Sequence, residues 1–143
     1  MLFSDTKSHK VVATDTAETV GKVAEFVVDP AEHRIIALGL SKTPGDGNIL
    51  PWSSIKGFGA DAVTVTQADT LVVPDAQVTA LSGKNKVLLK KRVLDTTGLG
   101  RGSVRDVEFD GTTGVITSLV LDAESIPGDK LVGIGSYAVI VQA

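Results

Sequence analysis

The residues with the best spacing for chemistry form an acidic ladder. Asp106, Glu108, Asp110 and Gly111 fall at positions one, three, five and six of a calcium loop. Such a loop needs a bidentate Glu at position twelve, where this chain has Thr117. A strand pattern, not a helix, follows it. The ladder reads better as the solvated face of a strand that ends in a turn. Gly98-Leu99-Gly100-Arg101-Gly102 has the glycine content of a phosphate loop. Ser103 stands where a dinucleotide fingerprint needs its last glycine, and no helix signal follows to hold a phosphate. These glycines are better assigned to the entry turn of a strand. His9 and His33 are the only histidines, and neither has a second ligand type at zinc spacing. No nucleophile elbow accompanies them. The expectation is a protein that is not an enzyme, with no cofactor and no metal.

Two features point to binding. Lys84, Lys86, Lys90, Lys91, Arg92, Arg101 and Arg105 make a basic stretch, Lys84-Arg105, offset only by Asp95. It could meet RNA, an anionic surface or an acidic partner. It reads better as lysines on an edge strand that guard a sheet against unwanted pairing. No aromatic residue is interleaved to stack bases. Trp52, the sole tryptophan, follows Pro51 and precedes Phe58. It is a candidate interface anchor or a satellite of the core. Trp52, Lys90, Lys91 and Arg92 are the candidate partner-binding residues.

What must position them is written twice. Gly21-Lys22-Val23 through Asp29 to Leu40 returns as Gly102-Ser103-Val104 through Asp110 to Leu121, at a constant offset of 81 positions. Gly57-Phe58-Gly59 through Ala62-Val63-Thr64-Val65 returns as Gly133-Ile134-Gly135 through Ala138-Val139-Ile140-Val141, at an offset of 76. Pro51 and Pro127 match under the second offset. The second copy is therefore trimmed between the blocks. What repeats is turns and apolar alternation.

The alternation has a period near two. Asp106, Glu108 and Asp110 share one face, with Val107 and Phe109 on the other. Asp29-Pro30 and Asp110-Gly111 are turn chemistry, and Ile-rich or Val-rich segments follow each. Each copy thus predicts a hairpin, then a short Ala-Val-x-Val strand. Asp75 can cap a short helical turn in the segment joining the copies. The boundary is placed near Thr79, giving units 1–78 and 79–143. Tyr137, in the final block, is expected to pack or to line the junction of the copies.

The 143 residues suffice for one ordinary domain or two very small ones. Aromatic residues make up only 4%, so the core must rest on Val, Ile, Leu and Ala. A net charge of −3 argues against a general nucleic-acid binder. The absence of cysteine excludes disulfides and thiolate chemistry. Ser4 and Asp5 interrupt the Met1-Leu2-Phe3 start at once, unlike a secretory signal, and no apolar run is long enough to span a bilayer. The expected location is the cytoplasm.

The order of Gly21-Lys22-Val23, Asp29-Pro30, Leu50-Pro51-Trp52 and Ala62-Val63-x-Val65 resembles the PRC-barrel. That module is named for the cytoplasmic domain of the photosynthetic reaction-centre H subunit. It also forms the C-terminal domain of the bacterial ribosome maturation factor. In the second copy Gly102, Val104, Asp110, Pro127, Ala138, Val139 and Val141 carry the resemblance. Gly128 departs from it by standing where Trp52 would be. The resemblance implies an all-β chain of two tandem small PRC-like β-barrels related by internal duplication. It implies association with proteins and no shared catalytic residues. The leading expectation is a non-enzymatic scaffold or adaptor with an unidentified protein partner, able to form homo-oligomers. The alternative is an RNA- or ribosome-associated factor that uses the basic stretch.

Overall fold

A computed structural model describes residues 1–143. After a short helix α1 (Phe3–Thr6) come β1 (Lys10–Ala13), β2 (Thr19–Asp29), β3 (Arg34–Ser41), β4 (Ile49–Pro51), β5 (Ile55–Phe58) and β6 (Ala62–Val65). Helix α2 (Ala76–Leu81) leads to β7 (Arg92–Asp95), β8 (Gly100–Ser103), β9 (Asp106–Phe109), β10 (Ile116–Val120), β11 (Ser125–Pro127), β12 (Leu131–Ile134) and β13 (Val139–Val141). Single 3-10 turns link β4 to β5 and β11 to β12.

The alternation produces the strands it predicts. Val107 and Phe109 are buried while Glu108 is exposed. In β2, bulges at Val23/Glu25 and Val27/Val28 shift the register against β3. A bulge resets which face a side chain takes, so Val23, Val27 and Val28 are all buried. Asp75 caps α2 as expected, its carboxylate accepting from Val78 N at 2.8 Å. Val78 then packs with Val27, Ala37 and Ile49 of the first half. Thr79 lies inside this helix.

The strands make three open sheets, ordered β4-β3-β2-β1-β6-β5, β11-β10-β9 and β12-β13-β7-β8. The expected pair of closed small barrels is corrected here, and two causes are visible. The outer edge of β4 does not close onto β5 but pairs with Val72, through Ile49 N to Val72 O at 2.9 Å and Val72 N to Ile49 O at 2.8 Å. In the second half, the trimmed loop after β10 turns at once, with Leu121 N bonded to Glu124 O at 2.8 Å. Strand β10 therefore stops at Val120, whereas β3 runs on to Ser41. Without that extension β8 and β9 remain separate pieces of what is one continuous strand, β2, in the first half.

With β8 and β9 read as one strand, the second order is β11-β10-β9/β8-β7-β13-β12, matching the first strand for strand. The one parallel pairing of each half, β1 with β6 and β7 with β13, also corresponds. The halves meet between their hairpins. Ile35 N donates to Gly114 O and Ile116 N donates to His33 O, both at 2.8 Å, with Arg34 facing Val115. The offset of 81 turns each of these bonds into the other, as at a two-fold axis. His33 and Gly114 take the same left-handed conformation there, at φ 56° and 79°. Asp29 and Asp110 set these turns by accepting from Ala31 N and Thr112 N, at 2.9 and 2.7 Å.

One core spans both halves, 26 buried residues that include Val11, Leu38 and Val63 beside Val93, Leu119 and Val139. All four phenylalanines and the sole tryptophan gather at the junction. Phe109 of the second half lies 5.4 to 6.3 Å from Phe3, Phe26, Phe58 and Trp52 of the first. A sequence poor in aromatic residues thus spends nearly all of them on joining its halves.

Candidate functional site

The structure divides the basic stretch in two. Arg101 is held by Glu124, at 3.0 and 2.6 Å, with Asp95 3.5 Å away. Arg105 pairs with Asp122. Lys84, Lys86, Lys90, Lys91 and Arg92 form no ion pair, and the segment 83–92 contains no acid. Lys86, Lys91 and Arg92 are held by the turn between β12 and β13. Lys86 Nζ donates to Ile134 O at 3.0 Å. Lys91 Nζ donates to Gly135 O and Asn85 O, both at 2.8 Å. Burial, then the neighbouring Lys86 charge, holds the Lys91 ammonium below the usual lysine range. Arg92 Nη1 donates to Tyr137 Oη at 2.8 Å, and its guanidinium carbon lies 5.1 Å from the ring centroid.

Tyr137 is not at the junction. It is 70% exposed on this turn, which corrects the expectation that it packs between the copies. The aromatic cluster is already complete without it, and its only strong contact is the Arg92 side chain. The fold thereby supplies what the sequence order lacked, an exposed ring beside the cations.

The same place in the first half makes the comparison informative. Ser8 and Lys90 both have left-handed backbone, at φ 74° and 67°. Each donates its N–H to the matching valine, Val23 or Val104, at 2.8 Å. His9 Nε2 lies 2.5 Å from Ala60 O, as the Lys91 ammonium meets Gly135 O. Lys10 opens β1 as Arg92 opens β7, and Asp61 stands where Tyr137 stands. The backbone is shared and the surface is not. The cationic, aromatic face belongs to the second half alone.

Trp52 sits elsewhere. Its ring is 8% exposed, stacks on Phe58 at 5.5 Å and meets Phe109 edge-on at 6.3 Å. Its Nε1 donates to Thr112 O across the junction at 3.3 Å. Within this chain it anchors one half to the other. Gly128 occupies the equivalent turn after Pro127, where a side chain has no room: a Cβ would lie 1.8 Å from Ile116 O. The acidic ladder is dispersed into separate contacts. Asp106 accepts from Ser4, Glu108 lies beside the Thr117 hydroxyl and Asp110 holds its turn.

Asp95 is a structural carboxylate that the sequence pattern does not single out. It replaces the buried Ala13 of the first half and is 6% exposed. It accepts from Thr97 N at 2.9 Å, Leu99 N at 3.2 Å and the Thr97 hydroxyl. The Thr97 hydroxyl foremost, then the two amides and Arg101, holds its carboxyl below the usual range against the opposing effect of burial. A lowered carboxyl stabilises the fold above the unfolded-state pKa near ~3.9, and that contribution fades as pH falls through the folded value. Asp95→Asn is expected to melt lower than wild type at neutral pH. It should then lose less on acidification from about pH 5 to about pH 2. Melting midpoints across that range test this; parallel curves would refute it.

A model of the PRC-barrel domain matches residues 1–72, half of the chain. The chain belongs to the PRC-barrel family. The match takes in the whole six-stranded sheet and Val72, the residue that covers β4. The rest of this PRC-barrel protein, with the cationic face, lies beyond the matched residues. No curated protein matches the chain. No helix is long and apolar enough to cross a membrane.

Proposed function

We propose that this chain is a duplicated PRC-barrel protein that works as a non-enzymatic scaffold, binding another protein through its second half. The matching strand order, the paired left-handed turns and the reciprocal hydrogen bonds at the junction support the duplication. The docking role rests on one observation above the rest: of two alike backbones, only the second sets an exposed tyrosine among its unpaired cations. Side chains that the fold does not require, as the first half demonstrates, are free to serve recognition. The PRC-barrel's part in protein association agrees with this. The test is affinity purification with the full chain as bait, followed by cross-linking. A small set of proteins that survives a salt wash and competes with untagged chain is expected. Recovering none would overturn the scaffold.

The RNA reading draws on the same five cations. It predicts RNA binding whose log affinity falls steeply with log salt. A single stacking ring on a chain of net charge −3 gives it less support than the protein reading.

A further inference from the structure

We infer that the cationic face receives an extended acidic segment of a partner protein, one that also carries a bulky apolar side chain. This rests on the scaffold reading and names the chemistry of its partner. Within the segment 83–92, Lys86 and Lys91 are tied to the β12–β13 turn and Arg92 to Tyr137. Val87, Leu88 and Leu89 of the same segment line a cavity of about 250 Å³ with Phe3 and Phe26. Lys7 and Lys84 also line this cavity. Glu25 does too, its Oε2 accepting from Gly83 N at 2.8 Å, so the lining holds two ammonium groups and one carboxylate. An apolar recess flanked by ammonium groups suits a large aliphatic or aromatic residue between carboxylates.

The cations keep donors for such a ligand. Lys91 spends two of three N–H groups on carbonyls and Lys86 spends one. Lys90 forms no side-chain hydrogen bond or ion pair, and Arg92 gives Tyr137 only one of its five donors. Held in place by these bonds, Lys86, Lys91 and Arg92 lose little rotamer freedom on meeting carboxylates. Tyrosine and arginine are also the residue types that dominate protein contacts. A nucleic acid would ask for successive stacking rings, and this face has one.

A fluorescent peptide of alternating Glu and Leu is the probe, with a Gln-for-Glu twin, poly(U) RNA and phosphatidylserine vesicles as competitors. The full chain should bind the Glu peptide and neither the Gln peptide nor, as tightly, RNA or vesicles. The double variant K90E/R92E should weaken binding by about tenfold or more, and Y137A by less. K10E, at the twin site of the first half, should leave it unchanged. Lys91 is spared because its ammonium supports the turn, and melting curves establish that each variant folds. Equal binding of both peptides, tighter binding of RNA or vesicles, or an effect of K10E equal to that of K90E/R92E would overturn the inference. Cell partners captured equally by wild type and K90E/R92E would overturn it while leaving the scaffold standing. Capture of none by either would remove both.

Discussion

Gly128→Ala is expected to cost the protein about 3 kcal/mol or more, a fall in melting temperature of roughly 10 °C. The added Cβ would lie 1.8 Å from Ile116 O and 2.5 Å from its carbonyl carbon. Both are backbone atoms, so no rotamer change relieves the contact. Either β10 or the 3-10 turn after Pro127 must move, and Ile116 donates one of the two reciprocal backbone hydrogen bonds between the hairpins. Gly133→Ala is the matched control, since a Cβ there meets nothing within 4 Å. It should stay within about 0.5 kcal/mol of wild type. Thermal unfolding followed by circular dichroism decides the case. A Gly128→Ala protein as stable as Gly133→Ala would mean that the turn is not packed as described.

Trp52→Ala is expected to cost about 3–5 kcal/mol, the usual range for emptying a buried indole site. The loss is more than area. The ring fills the space above Gly114, where even a Cβ would come within 3.0 Å of it. It also supplies the donor to Thr112 O and one wall of the Phe109 pocket. Removing it leaves that carbonyl without its partner and loosens the turn that carries Gly114 O. Amide exchange at Ile35 and Ile116 should therefore quicken, although neither residue is altered. Trp52→Phe should recover part of the stability but not the hydrogen bond. A Trp52→Ala variant with wild-type melting and unchanged exchange at both amides would show that the indole does not join the halves.

Gly128 and Trp52 also show how far the sequence could be read. That they take corresponding places in the two halves follows from Pro51 and Pro127 alone. Why they differ does not, because the reason is distance in space. Trp52 reaches across to Phe109, while Gly128 lies on Ile116 with no gap between. The hairpins were legible because alternation and turn residues act over a few positions: Val107 and Phe109 turn inward, and Asp29, Asp75 and Asp110 accept from nearby amides. The open sheets were not. They follow from β4 choosing Val72 as its neighbour and from a trimmed loop ending β10 at Val120. The basic stretch looked continuous in one dimension. Folding pairs Arg101 with Glu124 and Arg105 with Asp122, whose carboxylates are remote in order, and leaves the earlier cations free. Tyr137 joins them from the far end of the chain for the same reason.

Differential scanning calorimetry of the intact chain tests most directly whether the halves are one cooperative structure. With 26 core residues drawn from both halves and the phenylalanines pooled at their junction, a single transition is predicted, with calorimetric and van't Hoff enthalpies in agreement. Trp52→Ala should move that whole transition down. Two separable transitions, only one of them shifted by Trp52→Ala, would contradict the account.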